Sequence, residues 1–241
     1  MSVWVRQLRA RSAAEHPSLT KGGDVPKLLL INPNTSKDTT ETMLEIACEA
    51  RSPGIEIDAA TASFGVPLIS NLQQLSVGAD AVCQAVNEYI EPYDGIVIAA
   101  FGDPGVERLR REQPVPVLGI AQASMIEAGE DGRRFSIVTT TRELENPIRR
   151  IAKNLGLTDQ LISLRFTSSD AQALGSKPKQ LLSELSEATG RAIQEDGAKA
   201  VIIGGGPLAK AARTLRNWFD APIIEPLPVA VYRLTQCVNR D

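Results

Sequence analysis

Polar side chains and bare backbone groups with the capacity for chemistry gather in three short segments, each following a run of apolar residues. The first is Asn32-Pro33-Asn34-Thr35-Ser36, after Leu28 to Ile31. Its amide and hydroxyl groups, with the N–H groups of a helix starting near Lys37 or Asp38, suit an anion or an imide. The same side-chain oxygens suit a helix cap. The second is Ala100-Phe101-Gly102-Asp103-Pro104-Gly105, after Ile96 to Ala99. Gly102 permits an unusual backbone angle or a close ligand approach. Asp103 can cap the following helix, with Pro104 at its first position, or serve as an acid or base. The third is Gly204-Gly205-Gly206-Pro207, after Val201 to Ile203. Its bare backbone N–H groups offer an oxyanion cradle at a helix start. It lacks the Lys and Ser/Thr of a nucleotide P-loop, and no GxGxxG with a ribose-binding acid occurs, so nicotinamide binding is not expected.

Counting removes several chemistries. The single histidine, His16, lies in a polar leader, which excludes histidine triads and histidine metal sites from the body of the chain. The three cysteines, Cys48, Cys83 and Cys237, are too few and scattered for a zinc site or a disulfide framework. Each falls at core-like spacing in a helical pattern. The proton carriers left near strand ends are Asp103, Glu225, Thr35, Ser36 and Thr139 to Thr141. A sheltered Glu225 with a raised pKa is a candidate base; a cap neighbour or ion pair is the other reading. No metal and no cofactor are expected.

These segments must be held by strands and helices. Continuous β-branched runs at 27–31, 55–57, 95–99, 115–120, 135–138, 161–166, 200–203 and 221–224 suit strands buried on both faces. Helical patterns fill 38–50, 78–89, 105–112, 146–155, 179–195, 209–218 and 228–238. Such alternation implies a parallel α/β sheet with right-handed crossovers. The chain also repeats itself. Asn32 corresponds to Thr139 at an offset of 107 residues, Ala100 to Gly205 at 105, and Pro116 to Pro222 at 106. Two pseudo-symmetric α/β halves facing across a cleft follow. The expected division is 27–124 plus 222–241 against 125–221, with 1–26 as a leader. Ligands of parallel sheets bind beyond the strand carboxyl ends. The cleft is therefore expected to be lined by 32–36, 100–105, 120–124, 139–142, 204–208 and 225–228.

Composition agrees with a soluble globular protein: 43% hydrophobic and 23% charged over 241 residues. A net charge of −3 gives no basic surplus for nucleic acid. No apolar run reaches the about 18 residues of a membrane helix. The leader, interrupted by Arg6, Arg9 and Arg11, does not read as a signal peptide; a tail, a partner-contacting arm or an acid-free organelle-targeting segment are its readings. A reducing, cytoplasmic setting is expected.

The segments Ile31 to Ser36, Phe101 to Gly105, Gly119-Ile120-Ala121-Gln122 and Phe135 to Thr140 resemble hydantoin and allantoin racemases of the aspartate/glutamate racemase superfamily. Arylmalonate decarboxylase and maleate isomerase are relatives. The resemblance spans about residues 27 to 235 and implies the same two-half fold, cofactor-independent chemistry and a homo-oligomer. It implies ligand contacts from Asn34, Thr35, Ser36, Ala100, Phe101, Gly102, Gln122, Thr139, Thr140, Gly205, Gly206 and Pro207. In the family one cysteine from each half works on opposite faces of an acidic carbon. The corresponding positions here are Ala100 and Gly205, and a common Glu is Gln122. Two functions follow as expectations: an enzyme on a small ureide, cyclic amide or carboxylate using non-cysteine chemistry, or a non-catalytic metabolite-binding or accessory protein. Retained Asn34, Thr35, Ser36, Gly102 and Thr140 favour the first; the paired loss at Ala100 and Gly205 favours the second.

Overall fold

The computed structural model describes residues 25–238. The expected leader lies outside the described residues except for Val25 and Pro26.

Strands β1 (Lys27–Asn32), β2 (Glu56–Thr61), β3 (Gly95–Ile98) and β4 (Val117–Gly119) form a parallel sheet in the order β2-β1-β3-β4. Strands β5 (Phe135–Thr139), β6 (Leu161–Phe166), β7 (Ala200–Ile203) and β8 (Ile223–Ile224) repeat it as β6-β5-β7-β8. The register repeats as well: Leu28 pairs with Gly95 in the first sheet and Phe135 with Ala200 in the second. The helices are α1 (Lys37–Ala50), α2 (Leu72–Glu88), α3 (Val106–Glu112), α4 (Ile120–Ala128), α5 (Glu145–Leu155), α6 (Ala171–Leu174), α7 (Pro178–Gln194), α8 (Ala209–Leu215) and α9 (Pro226–Val238). Among the described residues no helix is long and apolar enough to cross a membrane.

Both faces of each sheet are covered, which is why the strands read as unbroken apolar runs. Leu29, Ile31, Ile96 and Ile98 face α2 and α3 in one outer core, and Val138, Val201 and Ile203 face α7 and α8 in the other. The opposite faces share one core that runs through both halves, from Leu28, Leu30 and Val97 to Phe135, Ile137 and Ile202.

The helices after the fourth strand of each sheet are exchanged between the halves. Helix α4 packs against α5, β7 and β8, while α9 packs against α1, β3 and β4. This corrects the expected division at its edges. Residues 222–224 belong to the second half because β8 pairs with β7. Each chain crossing occurs at the strand end, Gly119 or Glu225. Helix α4 was not expected at all. Seven of its nine residues are buried, so it lacks the polar face that makes a helical period visible. Helix α2 opens at Leu72 rather than Gly78, on an Asn71 side chain that accepts from the Gln74 N–H at 2.9 Å.

Candidate functional site

The loop after β1 is organised by Asn32, which is fully buried. Its Nδ2 lies 2.9 Å from Asn34 Oδ1 and 2.9 Å from Thr40 Oγ1, and its Oδ1 accepts from the Asn34 N–H at 3.1 Å. Asn34 Oδ1 also accepts from the Ser36 N–H at 2.9 Å. Both sources converge on one oxygen, so the Asn34 amide is oriented with its Nδ2 donors left for the cavity that Asn34 lines. Ser36 caps α1 through the Thr39 N–H, as a capping residue should. The Thr35 N–H is taken by the Val66 carbonyl at 3.0 Å. Thr35 and Ser36 do not line the cavity; Thr39, one turn further, does.

In the second loop Asp103 does not cap its own following helix. Gly105, left-handed at φ 80°, precedes α3 with no side-chain cap, and Pro104 falls before the helix. Asp103 reaches across instead. Its two carboxylate oxygens accept from the Ala121 and Gln122 N–H groups at 2.9 and 2.8 Å, capping α4. Gly119 has to be bare for this, since a β-carbon there would lie 2.1 Å from Asp103 Cγ. Gln122 is held in the same cluster, with Arg110 Nη2 donating to its Oε1 at 2.7 Å. Neither Asp103, Gln122 nor Gly102 lines the cavity.

Burial pushes the Asp103 carboxyl up to about 7, against the pull of the two N–H donors and Arg110. The ordinary value is 3.8. Between these values the unfolded chain is ionised at this residue while the folded chain keeps the proton. Stability from this group is therefore complete below about pH 4 and is lost as pH rises to about 7, a swing of up to roughly 4 kcal/mol. Urea titrations of wild type and Asp103→Asn from pH 4 to 8 are expected to differ by this slope, with the variant flatter. Parallel curves would exclude it.

In the second half Thr139, Thr140 and Thr141 line the cavity, with Thr139 Oγ1 and Thr141 Oγ1 3.3 Å apart. The glycine run serves a purpose beyond exposing N–H groups. A β-carbon on Gly204 would lie 2.7 Å from the Phe101 ring, and one on Gly206 would lie 2.9 Å from the Ala99 carbonyl oxygen. These glycines let the two halves touch. Glu225, expected as a base, is buried in an ion-pair cluster with Arg213 Nε at 3.5 Å and Arg216 Nη1 at 3.2 Å. Arg213 also pairs with Glu49 of α1. Glu225 is not a lining residue. Its role follows the ion-pair reading.

The cavity between the halves holds about 300 Å³. Ala100 and Phe101 enter it from one half and Gly205, Gly206 and Pro207 from the other, as expected. The segments 120–124 and 225–228 do not enter it, because they start the exchanged helices. Missed by sequence reasoning were its apolar walls, among them Leu68, Ile69 and Leu75 opposite Leu144, Leu174 and Leu181. Leu75 sits on a helix where it reads as ordinary core, and the others lie outside any polar motif. Among the described residues, none that lines the cavity has an ionisable side chain. Cys83 is buried in α2, where burial pushes its thiol up, and Cys48 and Cys237 are half-buried; none of the three reaches the cavity.

A sequence model of Asp/Glu/hydantoin racemases matches residues 28–234. The chain belongs to this family. It is 28% identical to the hydantoin racemase of Paenarthrobacter aurescens over 85% of this chain and 87% of that protein. It is similar in structure to an allantoin racemase from Pseudomonas fluorescens, with a TM-score of 0.84 and 29% identity over 88% of this chain and 90% of the other. An allantoin racemase from Klebsiella pneumoniae gives 0.82 and 33% over 88% and 87%. The chain thus shares its fold with these two allantoin racemases.

Proposed function

We propose that this racemase-family protein binds a small uncharged cyclic amide or ureide in the inter-half cavity and does not racemise it by two-base proton transfer. The observation that carries the reading is the cavity lining. It offers amide and hydroxyl hydrogen-bond partners from Asn34, Thr39 and Thr139 to Thr141, beside apolar walls, with no ionisable side chain among the described residues. Proton transfer at carbon needs a positioned acid or base. A neutral ring amide needs only donors and acceptors, which remain. The relatives named as hydantoin and allantoin racemases supply the ring class. A second reading is an enzyme of altered, non-cysteine chemistry on a ureide, cyclic amide or carboxylate. It is favoured by the cluster of threonine hydroxyls and the Asn34 amide, which can stabilise an enolate-like oxygen without a counter-charge.

Calorimetry with hydantoin, allantoin and short dicarboxylates tests the choice of ligand. Neutral rings are expected to bind and dicarboxylates not. Asn34→Asp retains an oxygen for the Ser36 and Asn32 donors but turns the cavity-facing donor into a charged acceptor. It is expected to weaken binding by roughly 10–100-fold, the effect of a lost hydrogen bond plus an unpaired charge. Unchanged affinity would place the ligand elsewhere.

A further inference from the structure

The chain between β6 and α7 forms a strap across one side of the cavity. From Gln172 to Gln180 every residue is exposed except Leu174, which is 1% exposed and lines the cavity. The strap is fastened at its start. The Ser169 N–H and Oγ both donate to the Glu184 carboxylate of α7 at 2.8 Å. Gln180 Nε2 donates to the same carboxylate at 2.8 Å, and Asp170 Oδ1 accepts from the Ala173 N–H at 2.7 Å. These bonds hold the strap in place; Ala171, Leu174 and Gly175 of it line the cavity, and Leu174 is the largest of these and the one fully buried. Leu181 flanks Leu174, and Ile69 and Leu75 line the same cavity from the first half.

A wall whose one large side chain stands on an exposed strap differs from the rest of the lining. Phe101, Gly204 and Gly206 are locked by contacts between the halves and have no room to change. Leu174 is backed by solvent-exposed chain. Its size can therefore change the cavity volume without disturbing the sheets.

We propose that Leu174 sets the size of the apolar group this cavity accepts. The polar groups of Asn34 and the threonines then hold the ring, while the substituent on the ring packs against Leu174 and Leu181. The statement about the substituent rests on the ring-binding reading above; the statement that Leu174 limits the apolar space does not.

The test is a calorimetric series of hydantoins carrying hydrogen, methyl, isopropyl, isobutyl and benzyl at the ring carbon, with indole titrated in parallel as a ring-independent apolar probe. In wild type, affinity is expected to rise about four-fold per buried methylene until the substituent meets Leu174, and then to fall. Leu174→Ala should move the optimum to a larger substituent, favouring benzyl over methyl by at least about tenfold more than wild type does. It should also admit indole. Leu174→Phe should move the optimum the other way and exclude indole. Leu174→Val, a smaller deletion, replaces the alanine variant if thermal melting shows that one unfolded. Should no hydantoin bind wild type while indole enters only the shortened variant, the ring-binding reading fails and the role of Leu174 stands. Hydantoins that bind with the same order of preference in all variants would overturn the role of Leu174. So would indole uptake that ignores residue 174.

Discussion

Wild-type protein is expected to leave an enantiomerically pure hydantoin unracemised, with no deuterium taken up at its acidic carbon. The resemblance to hydantoin racemases implies one proton carrier at residue 100 and one at residue 205; alanine and glycine stand there. Both positions line the same cavity from opposite halves, as a two-base reaction requires. A positioned acid or base contributes on the order of 10²–10⁴-fold, so restoring the pair is expected to produce a gain of at least that order. Ala100→Cys adds only a thiol to an existing β-carbon. Gly205→Cys is harder: its β-carbon would lie 3.0 Å from Leu208 Cγ, and φ is 158°. Combining Ala100→Cys and Gly205→Cys with Leu208→Ala removes that contact. Polarimetry together with deuterium exchange should show racemisation in the triple variant and none in wild type. Fast exchange by wild type would mean that a residue now held in another role is freed to act. Asp103, with its proton leaving at about 7, is first in line, although both its oxygens are occupied by backbone donors.

The second large effect concerns stability. Gly119→Ala is expected to destabilise the protein by about 2–4 kcal/mol, more than a surface glycine would. Gly119 has φ −88°, an angle any residue adopts, so backbone strain is not involved. The cause is contact: the added methyl would meet Asp103 Cγ at 2.1 Å and its oxygens at 2.3 and 2.5 Å. Asp103 must leave, and the buried N–H groups of Ala121 and Gln122 lose their acceptors. For a chain of this size the melting temperature should fall by roughly 5–15 °C, at about 2–4 °C per kcal/mol. Asp103→Gly in the same chain removes the clash, and glycine also suits the φ of 50° at that position. The two changes together should therefore be less damaging than their sum. A Gly119→Ala variant as stable as wild type in urea would show that Asp103 does not occupy this cap.

Asp103 and Glu225 show where sequence reasoning ran out. Both are carboxylates at strand ends in a duplicated α/β chain, which is where acids and bases of such folds are found. Asp103 instead caps a helix eighteen residues further along, as its bonds to Ala121 and Gln122 show. Glu225 is taken up by Arg213 of α8 and by Arg216 directly after that helix. Nothing in local spacing distinguishes these partnerships from a free carboxylate. The same applies to Thr35 and Ser36. Their types suit both a cap and a ligand site, and the turn of the loop gave the cavity to Asn34 and Thr39.

The sequence by itself determined the two-half architecture, because strand periodicity and a repeat at 105–107 residues are local and countable. It also determined that Ala100 and Gly205 occupy matching loops, and that neither is a proton carrier. Tertiary structure alone decided that the fourth-strand helices trade halves, which carries α4 and α9 across and keeps 120–124 and 225–228 out of the cavity. It alone decided that Gly204 and Gly206 are contact points between the halves, and that leucines from separate elements wall the cavity. The physical reason is range. Helix and strand patterns reflect neighbours a few residues apart, whereas a cavity is bounded by side chains brought together only when the sheets face each other. Each of those side chains, read in its own segment, looks like any other part of a core.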